Sequence, residues 1–260
     1  MPEIHKTAIV SNKAEIENDV VIGPYCIIGD NVKINKGTKL ISHVSIEGIT
    51  EIGENCTIFP FTIIGFPPQD IKYKGEPTGV KIGNNNIIRE FVTIHRASVS
   101  GDGFTTIGNN NFIMAYVHIA HDCKIGNSVI MANLATLAGH VIVEDFVFIG
   151  GLVAVHQFTR IGAHAMIGGF SGVGQDIPPF TMASGPRAKL YGLNSVGLKR
   201  RGFSDETINI LKKAYKILFR DKLYLKEALT KLKKDLPQIP EINHLIEFIE
   251  ANKRGICRRQ

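Results

Sequence analysis

FIMAYVHIAHDCKIGNSVIMANLATLAGHVIVEDFVFIGGLVAVHQF, residues 112–158, decides the fold. Counting through it in sixes meets Ile113, Ile119, Ile125, Met131, Leu137, Val143, Ile149 and Val155, every one aliphatic. The same step runs back to Ile107 and on to Ile161, Ile167 and Val173. A period of six is no multiple of the helical period, but it holds the strand period of two three times over. Hexapeptide repeats of this kind indicate a parallel β-helix. Each short strand points its aliphatic residue inward, three strands close one triangular coil, and coils stack by strand pairing at about 4.8 Å. Periodicity leaves the handedness open, since ordinary crossovers are right-handed.

The pattern covers most of the chain. Ile4, Val10, Ile16, Ile22, Ile28, Ile34, Leu40, Ile46, Ile52, Ile58 and Ile64 are each six apart, and Ile82, Ile88 and Ile94 keep the phase after a gap. The residue four places later is small or β-branched, as in Cys26, Val32, Thr38, Val44, Thr50, Cys56 and Thr62. Two interruptions, at about 65–79 (GFPPQDIKYKGEPTG) and 97–105, read as loops thrown out from the coil, and loops on a rigid scaffold commonly carry binding residues. The repeat stops near Ile177, before Pro178 and Pro179. We therefore expect a mainly β protein, with a β-helix domain over 1–187 and a helical domain over 188–260. Helical periodicity marks Ile208, Leu211, Tyr215 and Leu218, with Ser204 as N-cap. Further helices are expected over Leu225 to Leu236 and from Glu241, with Gly255 as the stop.

Composition narrows the classes. The net charge of +6 is mild and gathers after Lys189, which suits an acidic partner or a phosphorylated ligand as well as a solvated helical face. Nothing in it marks a nucleic-acid binder. No apolar run approaches a membrane span, and no basic segment followed by an apolar one opens the chain. Three of the four cysteines occupy one fixed place in the repeat and none forms a CxxC pair, so we expect core filler in a reducing, cytoplasmic compartment.

The repeat also computes where side chains stack. Residues 121, 139 and 157 fall above one another on successive coils, so His121, His140 and His156 gather along one edge of the prism. Structural histidines, a metal site and general-base catalysis all fit such a column. Imidazole is a common zinc ligand, although neither a cysteine nor a carboxylate evidently completes a ligand set. A neutral histidine removing a proton from an attacking hydroxyl or amine contributes roughly 10²–10⁴ in rate. Acyl transfer also needs a donor facing the developing oxyanion. Gly139 stacks over His121, and its bare N–H is the candidate.

Several phrases go further than the repeat. HIAHDC (118–123), LAGH (137–140), AVHQF (154–158), SGVGQDIPP (171–179), GEPT (75–78) and GLKRRGFS (197–204) resemble the UDP-N-acetylglucosamine 3-O-acyltransferase family, which opens lipid A synthesis. The resemblance runs from about Ile9 to at least Tyr215. It implies a left-handed coil and a homotrimer with active sites between subunits. It also implies a 3-hydroxyacyl chain delivered on the phosphopantetheine of acyl carrier protein, with no metal or other cofactor. His121 matches the family's general base, Asp122 its support and Gly139 the oxyanion donor. Gln69, Asp70, Lys72, His118, His140, His156 and Gln157 match positions around the sugar nucleotide. Asn194, Arg200 and Arg201 match those holding the uridine diphosphate, as guanidinium chemistry suits. Gly169 matches the acyl-chain ruler. Val196 stands where relatives can carry an acidic residue. A related N-acyltransferase, a zinc hydrolyase on the same coil and a non-catalytic trimer are the rival readings.

Overall fold

The computed structural model describes residues 1–99 and 101–258. Its β-helix is three parallel sheets, each a stack of strands taken from every third turn of the chain. Ile113, Met131 and Ile149 lie on the first face, Ile119, Leu137 and Val155 on the second, and Ile125, Val143 and Ile161 on the third, each in register with its neighbours. The coil is left-handed. From Ile22 onward every aliphatic repeat position is buried, whereas Ile4, on the first coil, is 44% exposed. Each fully buried isoleucine contributes roughly 1.5–3 kcal/mol by leaving water. The small residues four places on, Cys26 to Thr62, are buried beside them.

The corners explain the spacing of the repeat. The residue three places after most inward aliphatics turns through the left-handed region, as at Asn110, Tyr116, Asp122, Ser128, Leu134, His140 and Phe146. That conformation is unfavourable for residues with a Cβ, and stacking of the corner side chains offsets it. Tyr25, His43, Phe61, Phe91 and Tyr116 form one such column, with ring centroids 4.8–5.0 Å apart. A second column is polar: Asn84, Asn109, Asn127 and Asp145 each accept the N–H of the residue one coil below.

Both interruptions leave from the corner between the second and third faces. The first joins strand Ile63–Phe66 to Gly79–Ile82, and the second joins Thr93–His95 to Phe104–Ile107. Among the described residues of the second loop, Ser98 and Gly101 close against the next coil; Ser100 lies outside the description, as does Arg259 of the basic tail.

The helical expectation from Ala188 needs correction. Lys189–Leu193 is a strand pairing antiparallel with Thr181–Ser184, so this hairpin straddles the expected boundary at 187/188. The glycine and alternating apolar residues of KLYGL extend the first sheet, and helix begins only at α1, Ser195–Arg200. Helix α2, Asp205–Phe219, is capped by Ser204 as expected, and α3 (Leu225–Asp235) and α4 (Pro240–Glu250) follow. Gly255 does not stop α4, which ends five residues earlier. Its positive φ turns the tail back, so that Asp176 N–H donates to Gly255 and Cys257 N–H donates to Asp176. All four cysteines are buried and free. No described helix is long and apolar enough to cross a membrane.

Candidate active site

The coil bearing His121 follows directly on the two loops, and its corner is where they fold back. Asp122 occupies the left-handed corner position at φ 62°. Its N–H donates to the buried Thr105 hydroxyl at 2.9 Å, and its carboxylate is almost wholly buried. Carboxylate Oδ2 accepts from His121 Nδ1 at 2.8 Å and from the Ser98 backbone N–H at 3.0 Å. His140 Nε2 stands 3.6 Å from the same oxygen, and the two imidazoles meet edge to face at 5.3 Å. An ionised carboxylate only accepts, so the 2.8 Å contact puts the proton of His121 on Nδ1 and leaves the Nε2 lone pair for a substrate.

Gly139 lies over that ring, as the count of eighteen requires. A Cβ built on it would stand 2.5 Å from Cε1 and 2.7 Å from Nε2 of His121. Only glycine leaves room for the imidazole. The backbone N–H of Gly139 donates to no group among the described residues. A similar fit holds beneath: a Cβ at Gly101 would come within 1.9 Å of Asp122 Oδ1, so the second loop closes over the carboxylate only because it carries glycine.

Two neighbouring histidines have their pKa lowered from the ordinary imidazole value. Burial lowers the pKa of His140 and of His118, and His121 nearby lowers that of His118 further. His118 shares a 2.7 Å hydrogen bond with the Thr93 hydroxyl. Beneath it lies His95, in edge contact at 5.1 Å and pushed down to about 4 by burial and by the like charge of His118. His95 escaped the sequence reading, as did Ser98 and Thr105. Their coil is separated from the next by an irregular step, so simple addition of eighteen misses them.

The other expected residues are not all brought together. Asp70, on the first loop, reaches the site, where its carboxyl accepts the Ser98 hydroxyl at 2.6 Å and the Lys72 N–H at 3.0 Å. Those bonds hold it below the usual carboxylate range. Gln69 and Lys72 are exposed on the same loop. His156 and Gln157, two coils above His121, are exposed; His156 lines a separate groove of about 530 Å³ with Gly172, Gly174 and Arg187. A cleft of about 690 Å³ opens on the other side of the corner, along Asp122, His140, Ile142, Phe158 and Arg254.

Gly169 belongs to a different corner, between the first and second faces, directly above Gly151. Asn194, Arg200 and Arg201 belong to the third corner. Asn194 caps α1 by accepting from Gly197 and donates to His164, while Arg201 lies over the Phe146 ring at 4.8 Å. Arg200 and Val196 are exposed. One chain thus spreads the expected residues over three edges of the prism.

The expectation that no carboxylate joins the histidines is corrected. His121, Asp122 and His140 present ligand atoms within 4.8 Å of one another, because the corner at Asp122 folds its side chain back between the coils.

Comparison with known proteins gives the following. A family model described as UDP N-acetylglucosamine O-acyltransferase, domain 2, matches residues 176–257, and one described as bacterial transferase hexapeptide (six repeats) matches residues 104–139. The chain is 88% identical to the acyl-(acyl-carrier-protein)–UDP-N-acetylglucosamine O-acyltransferase of Thermodesulfovibrio yellowstonii, over 99% of this chain and 100% of that one. It is 52% identical to the same enzyme of Syntrophobacter fumaroxidans, over 98% and 100%. The crystal structure of UDP-N-acetylglucosamine O-acyltransferase from Moraxella catarrhalis matches at 46% identity and a TM-score of 0.94, covering 98% of this chain and 99% of that one.

Proposed function

Because this chain belongs to the family of acyl-carrier-protein-dependent UDP-N-acetylglucosamine O-acyltransferases, we propose that it moves a 3-hydroxyacyl chain to the glucosamine 3-hydroxyl, with His121 as general base. The donor is the thioester on the phosphopantetheine of acyl carrier protein, and the reaction opens lipid A synthesis. The 3-hydroxyl loses its proton to His121 Nε2 as its oxygen attacks the thioester carbonyl. Negative charge develops on the carbonyl oxygen, where the Gly139 N–H stabilises it. The intermediate then collapses, expelling the carrier thiolate, which takes up the proton held by the imidazolium. Asp122 fixes the tautomer and steadies that imidazolium. No metal or redox cofactor enters this sequence.

The observation that carries the reading is the close fit of the His121 ring against Gly139, with Asp122 behind it. Asp70 and Lys72 serve the sugar nucleotide from the first loop, with Gln69, His118, His140, His156 and Gln157 around it. Arg200, Arg201 and Asn194 serve the diphosphate, and Gly169 limits the acyl chain. Three separated edges act on one substrate in a homotrimer, where neighbouring copies present different edges to each other. A cytoplasmic site of action suits both the carrier protein and the free cysteines.

The test is acyl transfer from 3-hydroxyacyl carrier proteins of several lengths to UDP-N-acetylglucosamine, with His121→Ala as control. A loss of about 10²–10⁴ in kcat is expected for the variant. Undiminished turnover would overturn the base assignment. Product only with a 3-amino acceptor would overturn the acceptor assignment, and activity that follows bound zinc would favour the His121–Asp122–His140 metal reading.

A further inference from the structure

The two loops at the site meet through one buried side chain. Ser98 is fully buried, and it hydrogen-bonds in two directions. Its backbone N–H donates to Asp122 Oδ2 at 3.0 Å, the oxygen that also accepts from His121 Nδ1. Its hydroxyl donates to Asp70 Oδ2 at 2.6 Å, while Asp70 Oδ1 accepts the Lys72 N–H. The hydroxyl and the N–H of one serine are separated by only three covalent bonds, so a displacement at one end is felt at the other. A second tie, from the Thr78 hydroxyl to Ala97 O at 2.5 Å, holds the end of the first loop to the residue beside Ser98.

We propose that Ser98 is a positioning residue that couples the 65–79 loop to the coil bearing His121, its hydroxyl ordering the loop through Asp70 and its N–H holding the Asp122 carboxylate behind His121. This rests on the proposed function for the role of His121, but the coupling itself is a property of the loops. Asp70 is partly exposed and ionised, and it is the member of the chain contributed by the first loop, as Ser98 is by the second. Burial of Ser98 keeps water from replacing the contact, and a hydroxyl bonded to a charged acceptor is among the stronger neutral-donor bonds. The inference gives the hydroxyl and the N–H separate duties. The hydroxyl sets the loop and hence sugar-nucleotide binding. The N–H, which survives substitution by alanine or threonine, sets Asp122 and hence the chemical step.

The experiment is a double-mutant cycle with Ser98→Ala and Asp70→Ala, and with Ser98→Thr as the variant that keeps the hydroxyl. Ser98→Ala is expected to raise KM for UDP-N-acetylglucosamine by about tenfold or more, with kcat and its pH profile changed less than threefold. In the Asp70→Ala background the same change is expected to add less than twofold, and Ser98→Thr is expected to recover most of the loss. An equal penalty in both backgrounds, or no change in KM, would overturn the proposal in favour of simple packing. Hydrogen exchange across residues 66–79 gives a reading independent of catalysis. Ser98→Ala and Asp70→Ala should each speed it and Ser98→Thr should not. Unchanged exchange in Ser98→Ala would refute the coupling even if the parent acylated some other acceptor, whereas faster exchange with no acyl transfer by the parent would condemn only the proposed function.

Discussion

Replacing Gly139 by alanine isolates the step at which the fold meets the chemistry. The added Cβ would stand 2.5 Å from Cε1 and 2.7 Å from Nε2 of His121, where ordinary contact begins at 3.4 Å. The ring must therefore retreat by about 0.9 Å. It has little freedom to do so, being bonded to Asp122 at 2.8 Å and set edge-on against His140. The backbone at residue 139 is not in the left-handed region, so alanine brings no torsional strain of its own. The expected result is a folded protein with a misplaced base. Misplacement by about 1 Å costs on the order of 10²-fold in rate, and shielding of the 139 N–H adds to it. Initial rates of acyl transfer should fall at least 100-fold in kcat, with a melting temperature within a few degrees of the parent. Gly139→Ala enzyme that kept a third of parental kcat would refute the reasoning, because the stacked ring would then have no part in the rate.

Two further outcomes follow from the other edges of the prism. A Cβ on the exposed Gly169 meets only Gly151, at 3.2 Å from O and 3.8 Å from N. Gly169→Met should fold with a shift of a few tenths of an ångström at Gly151 and move the preferred donor to shorter acyl chains; an unchanged length profile would remove Gly169 as the ruler. His244 Nε2 donates to Glu144 Oε2 at 2.7 Å, tying α4 to the coil, with Arg160 on the other carboxylate oxygen at 3.7 Å. The Glu144 bond raises the His244 pKa against the opposing effect of burial. A raised folded value means that the stabilisation is complete below the ordinary histidine pKa of about 6.5 and lost as pH climbs through the folded value. Because His244 is 37% exposed, it amounts to about 1 kcal/mol at most. The melting temperature should fall by a few degrees between pH 6 and 8.5 in the parent and stay flatter in Glu144→Gln; parallel profiles would show that the pair contributes nothing.

The coil was legible in the sequence because its requirement is local and periodic. Each buried aliphatic position needs only the strand above and below it, so counting in eighteens is enough to set Gly139 over His121. The same arithmetic put His121 and His140 on neighbouring coils, and they meet. It could not show that His156, two places before its corner at Phe158, faces another groove. Ser98, Thr105 and His95 were hidden because the interruption at 97–105 stretches the step from Ile94 to Ile119 to 25 residues, and the loop's own fold back onto Asp122 follows from no repeat. The hairpin at 181–193 was missed because its strands pair by hydrogen bonds across a turn, and the hexapeptide signal ends before it. The tail crossing at Gly255–Cys257 is a tertiary contact with Asp176 and left no trace in local pattern.

With Gly169 as the proposed ruler, its stacking on Gly151 would give the acyl chain a graduated scale. Positions along the prism axis come only in steps of one coil, about 4.8 Å, which for a fully extended hydrocarbon lying along that axis is about four methylenes. A stop that moves between these two glycines therefore changes the measured chain by about four carbons at once. Finer adjustment has to come from the size of the side chain set at one mark, so length selectivity in this architecture is coarse by coil and fine by residue.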